Sequence, residues 1–146
     1  MIINGPNLNL LGKREPTIYG TRSMEQVLVD IQRAYPDVYL EYHQSNHEGV
    51  LIDWVQELGV LSQRQELDGI VLNAGGYTHT SVALRDAVAC SQVPVVEVHV
   101  SDITAREDFR RVSLMSDVCA HTIMGHGVDG YLEGVEWIIK QTSGNK

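Results

Sequence analysis

The 146 residues suit one domain, 1–146, and a chain of this length buries roughly 70% of its unfolded surface without a disulfide or metal staple. Lys and Arg number 11 against 19 Asp and Glu, a net charge of −8. That balance argues against nucleic acid and against an anionic membrane surface, and it leaves room for a small anionic ligand held by a few local arginines. No apolar run reaches the roughly 18 residues of a membrane span. No signal-peptide pattern precedes Asn4-Gly5-Pro6, and Cys90 and Cys119 stand in apolar contexts that read as small core positions. The expectation is a cytoplasmic protein of a reducing compartment.

Met1–Ile3 is a short apolar start stopped by Asn4-Gly5-Pro6. Residues 5–22, punctuated by Gly12, Pro16 and Gly20, read as one long loop, and long loops in compact domains tend to carry function. Ser23 and Gln26 form a capping-box pattern that opens a helix to about Tyr35, ended by Pro36. Val38, Leu40 and Tyr42 alternate as a strand. Val50, Leu51, Trp54, Val55 and Leu58 mark an amphipathic helix ending near Gly59. Ile70–Leu72 is a short buried strand, Val82–Val88 a helix and Val93–Val100 a central strand. Ala105–Val112 predicts a short helix, Val118–Met124 a strand, and Tyr131–Ile139 a C-terminal helix. This alternation predicts an α/β fold, flavodoxin-like, with a five-stranded parallel sheet and helices on both faces. Ligands then bind beyond the carboxyl ends of the strands.

Several constellations lie at those ends. Gly125-His126-Gly127-Val128-Asp129-Gly130 matches G-x-G-x-x-G, but too few residues follow for the return strand of a dinucleotide unit, so a tight turn with close helix packing is the better reading. His43, His47 and Glu48 do not have metalloprotease spacing, and loop bracing or helix capping is the plain role for His47. Asn73 through Ser81 is either a ligand loop opening a helix N-terminus or a Gly-rich turn with hydroxyl caps. In the strand Glu97-Val98-His99-Val100-Ser101, Glu97, His99 and Ser101 share a face; His99 is either a satisfied core histidine or a working one oriented by Glu97. Arg106 and Arg110, spaced i, i+4, share a face of the predicted helix, and with Arg111 they suit a carboxylate or phosphate as well as a solvated surface. Arg14 precedes Tyr19 by five residues, and a nearby cation favours a phenolate.

Together these motifs resemble one family, the type II 3-dehydroquinate dehydratases. The resemblance rests on Asn4 through Gly12, Arg14-Glu15-Pro16 through Tyr19-Gly20, Gln44 through Gly49, Asn73 through Asp86, and Glu97 through Ser101 with Ala105-Arg106-Glu107 and Phe109-Arg110. It runs from Ile2 to about Ile139. It implies a flavodoxin-like subunit that dehydrates 3-dehydroquinate to 3-dehydroshikimate in the shikimate pathway, with no metal, no organic cofactor and no Schiff-base lysine. It implies that Tyr19 is the base, with Arg14 as the cation favouring its phenolate. Asn7 is implied to hold a water against the enolate oxygen, and His99, backed by Glu97, to be the acid for the leaving hydroxyl. Asn73, Val100 and Ser101 resemble the carboxylate clamp. His79, Asp86 and Arg110 resemble the ring-hydroxyl contacts, with Asp86 reaching in from a neighbouring subunit of a homododecamer built from trimers. Asp102, where Asn is frequent, and His126 depart from the family pattern. The rival reading from the fold alone is a flavodoxin-like module binding flavin or nucleotide.

Overall fold

The computed structural model describes residues 1–13 and 15–144. Five parallel strands are present: β1 (Ile2–Asn4), β2 (Tyr42–Gln44), β3 (Ile70–Asn73), β4 (Val95–His99) and β5 (His121–Met124), in the order β2-β1-β3-β4-β5. That is the flavodoxin-like winding. Five α-helices join them: α1 (Pro16–Tyr19) and α2 (Met24–Ala34) between β1 and β2, α3 (Glu48–Gln63), α4 (Val82–Cys90), and α5 (Asp129–Gly144) after β5.

The two-residue period of the strands divides the core. Ile2, Val71, Val96 and Val98 pack with Val27 and Ile31 of α2 and with Tyr131, Val135 and Ile138 of α5. Their neighbours Ile3, Ile70, Leu72 and Val95 pack on the other face with Leu51, Val55 and Leu58 of α3 and Leu84 and Val88 of α4. Helix α2 opens on the expected capping box: Ser23 Oγ accepts from Gln26 N, and Gln26 Oε1 accepts from Ser23 N.

The structure revises several expectations. Residues 5–22 hold a 3-10 turn at Leu8–Leu10 and the one-turn helix α1, whose N-terminal proline is pre-set for helix. Strand β2 begins at Tyr42, because β1 offers partners only from Ile2, which pairs with Tyr42; Tyr39 is left 85% exposed. Helix α3 runs through Gly59, which faces Ser91 at the contact with α4 and does not cap. His47 stands at the N-cap of α3 but its side chain makes no capping bond. Cys90 is exposed on α4; Cys119 is partly buried, and burial with the charges of Glu97 and Asp117 pushes its thiol up to about 12. The predicted helix over 105–112 is two 3-10 turns, Ile103–Ala105 and Asp108–Arg110, with Arg106 and Glu107 extended between them. Asp102 accepts from both the backbone and the hydroxyl of Thr104, a local bond that competes with helix. Arg106 and Arg110 therefore do not share a helix face.

The glycines from 125 to 130 form the expected turn into α5. Gly125 and Gly127 have positive φ, and a side chain at Gly130 would meet Val98 at 3.1 Å. That close approach seats α5 on β4. No described helix is long and apolar enough to cross a membrane.

Candidate active site

A cavity of about 150 Å³ opens beyond the carboxyl ends of β1, β3 and β4. It is lined by Asn7, Tyr19, Asn73, His79, His99, Val100, Ser101 and Arg110, and also by Arg106. Eight of the residues that the sequence nominated therefore converge. This volume suits a ligand of one small ring, below the roughly 300 Å³ at which pockets for drug-sized molecules begin.

The floor is built where β1 and β3 end side by side, with Asn4 paired to Asn73. A side chain at Gly5 would lie 2.4 Å from the Ala74 carbonyl, so the two chain segments leaving the strands can touch because residue 5 is glycine. Asn7 follows with a left-handed backbone, φ 68°, which asparagine tolerates better than most residues. Its N–H donates to Asn46 Oδ1 at 3.0 Å. Gln44 Nε2 donates to that same oxygen and to the Gly5 carbonyl, each at 3.1 Å. The Gln44-Ser45-Asn46 motif thus braces the loop that carries Asn7. The Asn73 side chain is buried, with Oδ1 accepting from Gly75 N and Nδ2 donating to the Tyr131 hydroxyl.

At the end of β4, His99 Nε2 lies 2.5 Å from Glu97 Oε1. Both side chains are buried, at 6% and 1% exposure. Three hydroxyls complete the shell of the carboxylate: Ser113 donates to Oε1, and Ser116 and Thr122 donate to Oε2 at 2.7 and 3.0 Å. Burial works to raise the Glu97 carboxyl, but the bonds and charge of His99 and the hydroxyls of Ser113 and Ser116 outweigh it and hold Glu97 below its usual range. With Nε2 engaged, His99 has Nδ1 left for the cavity. A charged imidazole donates there and a neutral one accepts.

His79 Nδ1 donates to the Val112 carbonyl at 2.8 Å, which leaves Nε2 for a ligand. Arg110 is held by Glu107, Nε to Oε2 at 3.0 Å, with its guanidinium 5.1 Å from the centre of the Phe109 ring. Arg106 donates from Nη1 to the Tyr19 hydroxyl oxygen at 2.8 Å, and its guanidinium carbon lies 5.6 Å from the ring centre. Arg14 lies outside the described residues. Asp86 does not reach this cavity. It is exposed on α4, in a groove with Ile52 and Gln56 of α3.

Sequence reasoning placed Arg106 near the pocket without giving it a partner, and gave no functional role to Ser113, Ser116, Thr122 or Tyr131. Serines and threonines near a strand end are too common to signal a carboxylate cage. Among the described residues no three His, Cys, Asp or Glu side chains form a group that could hold a metal ion. His43 packs against Trp54 with ring centres 5.0 Å apart, and His126 contacts Glu133 at 2.8 Å.

Fold and cavity define a flavodoxin-like α/β protein whose strand ends gather a phenol under a guanidinium and a carboxylate-backed imidazole. Comparison with known proteins carries this further. Residues 1–139 match the model of the family described as Dehydroquinase class II, and the chain belongs to that family. The 3-dehydroquinate dehydratase of a Marinomonas species is 48% identical over 141 residues, covering 95% of this chain and 94% of that protein. The 3-dehydroquinate dehydratase of Halothermothrix orenii is 46% identical over 140 residues, covering 94% and 91%. The crystal structure of type II dehydroquinase from Butyrivibrio crossotus superposes with a TM-score of 0.87 at 42% identity, covering 94% of each chain. The family resemblance read from the motifs holds.

Proposed function

We propose that the protein dehydrates 3-dehydroquinate to 3-dehydroshikimate, as the names of its relatives indicate, and that Tyr19 and His99 carry the two proton transfers. The observation that carries this is the meeting, in one ring-sized cavity, of Tyr19 under Arg106 with His99 against Glu97. Elimination beta to a ketone needs a base, a stabiliser for the enolate and an acid for a poor leaving group. Tyr19, as phenolate, takes the proton from the carbon alpha to the ketone, and the electron pair passes into the enolate. Asn7 holds a water against the enolate oxygen. As the enolate collapses, the carbon–carbon double bond forms, the carbon–oxygen bond beta to the ketone breaks, and His99 gives the departing hydroxyl its proton, so water leaves. Exchange with solvent then returns the proton from Tyr19 and restores one to His99. Arg106 donates to the Tyr19 oxygen that takes the proton, and the family resemblance assigns Arg14 as the cation favouring the phenolate.

Asn73, Val100 and Ser101 clamp the substrate carboxylate, while His79 and Arg110 take the ring hydroxyls. Asp86 serves the site of a neighbouring subunit, which makes the working form a homo-oligomer, a dodecamer built from trimers. The decisive experiment follows the ultraviolet absorbance of the enone formed from 3-dehydroquinate by the purified protein. Turnover that persists after chelation, and after borohydride treatment with substrate present, supports the scheme. Absence of the enone overturns the function, and inactivation by borohydride only when substrate is present overturns the mechanism. Light scattering that shows a fully active monomer removes the role of Asp86.

A further inference from the structure

Asn73 faces the cavity, and the polarity it presents there is decided from beneath. The Gly75 N–H can only donate, so the Asn73 atom 3.1 Å away is Oδ1. That turns Nδ2 toward the phenolic oxygen of Tyr131, 3.0 Å away, which accepts. A phenol has one proton. Once its oxygen accepts from Asn73, the proton goes to the other neighbour, and Asn4 Oδ1 receives it at 2.8 Å. Asn4 in turn directs Nδ2 toward the Tyr42 hydroxyl at 3.4 Å. Each atom in the chain has one role, imposed step by step from a backbone N–H. Tyr131 and Asn4 have no exposure and Asn73 has 4%, so bulk water cannot replace a link, and an unmade one is costly. Burial also pushes the Tyr131 phenol far above its ordinary range, which keeps its proton in place. Tyr131 sits in the first turn of α5, one residue after the Gly130 contact with β4, and its ring bridges the paired ends of β1 and β3.

We propose that Tyr131 is a positioning residue: together with the Gly75 N–H, which holds Oδ1, it locks the Asn73 amide from the Nδ2 end so that an N–H, never the carbonyl, faces the cavity, and thereby makes this end of the site select an oxygen acceptor such as a carboxylate. The inference rests on the proposed function in taking the ligand to be an oxyacid.

The test is Tyr131→Phe, assayed with 3-dehydroquinate well below the unfolding temperature. The ring is kept and only the hydroxyl is lost. KM should rise about tenfold while kcat changes less than about threefold, the signature of an interaction made equally in ground and transition states. In an Asn73→Ala background the same substitution should leave KM where it is. An unchanged KM, with only a lower unfolding temperature, would mean a purely structural role and would overturn the proposal. If Tyr131→Phe does not fold, Asn4→Ala carries the test: it removes the acceptor, frees the Tyr131 proton to turn on Asn73, and should raise KM in the same way, an unchanged KM again being fatal. Should the wild type not turn over 3-dehydroquinate, the proposed function fails by itself. The Tyr131 inference is then read from the thermal shift given by tartrate, a small hydroxycarboxylate. A shift present in the wild type and reduced in both Tyr131→Phe and Asn73→Ala supports it; no shift, or equal shifts in all three, overturns it.

Discussion

At the ends of β3 and β4, Asn73, Glu97 and His99 are at most 6% exposed, and their polar atoms are tied to partners drawn from α5, the 113–116 loop and β5. Tyr19 stands in a different setting. It is half-buried on a one-turn helix whose other residues are exposed, between Gly12 and Gly20, both with positive φ. Its segment joins α2 through Arg22, which pairs with Asp30 on α2 and with Asp129 at the start of α5, both in solvent. Burial therefore decides the geometry of His99 and Asn73, whereas Tyr19 depends on contacts that reach it from other loops, Arg106 among them. The contrast teaches where damage should be chemical and where it should also be structural. A lost atom on the floor leaves buried partners unsatisfied; a lost atom on the Tyr19 segment leaves partners that water can serve.

The largest effect on turnover with intact folding should come from Tyr19→Phe, which removes the oxygen and keeps the ring. A fall in kcat of about 10²–10⁴-fold is expected, with little change in ligand affinity or unfolding temperature. If more than about a tenth of wild-type turnover remained, a loss below the smallest expected of a general base, Tyr19 would not be the base.

Glu97→Ala should break the contrast from the other side, by harming turnover and folding together. It leaves His99 and three hydroxyls facing a void, and each buried polar group left without its partner costs roughly 1–3 kcal/mol. Denaturant unfolding measures this. The milder Glu97→Gln exposes the pH linkage. The carboxyl is held below its usual range in the folded protein, so the stability it contributes is complete above its unfolded value of about 4.3 and is lost as pH falls through the lowered folded value. The unfolding temperature of the wild type should drop over that acid window more steeply than that of Glu97→Gln. Parallel curves would refute the assignment.

Arg110→Ala should raise KM by about tenfold with a smaller change in kcat, because the hydrogen bond proposed for it is made in ground and transition states alike. A fall in kcat at constant KM would move Arg110 into the chemistry. Arg22→Ala should have the smallest effect. Its two partners are exposed and screened, so about 0–1 kcal/mol of stability is at stake, fading further at high salt. A loss well above that range would show that the Tyr19 segment is held far more firmly than its exposure implies.

What local pattern determines was legible before any coordinates. The alternation of strands and helices predicts the winding, Ser23 and Gln26 form the capping box, and the strand ends and the segments that follow them hold the eight cavity residues named by the family resemblance. These follow from periodicity, from side-chain bonds spanning three residues and from the rule that ligands bind at carboxyl ends, none of which needs distant contacts. The i, i+4 spacing of Arg106 and Arg110 misled, because Asp102 and Thr104 form a local bond that a helix would have to break. Tertiary structure alone decided that Arg106 meets Tyr19 across 87 residues, that Ser113, Ser116 and Thr122 close on Glu97, and that Tyr131 crosses 58 residues to hold Asn73. A hydroxyl or a guanidinium carries no mark of its partner in the sequence. Which one it meets is fixed only when burial removes water and the packed strands bring particular donors within reach of each acceptor.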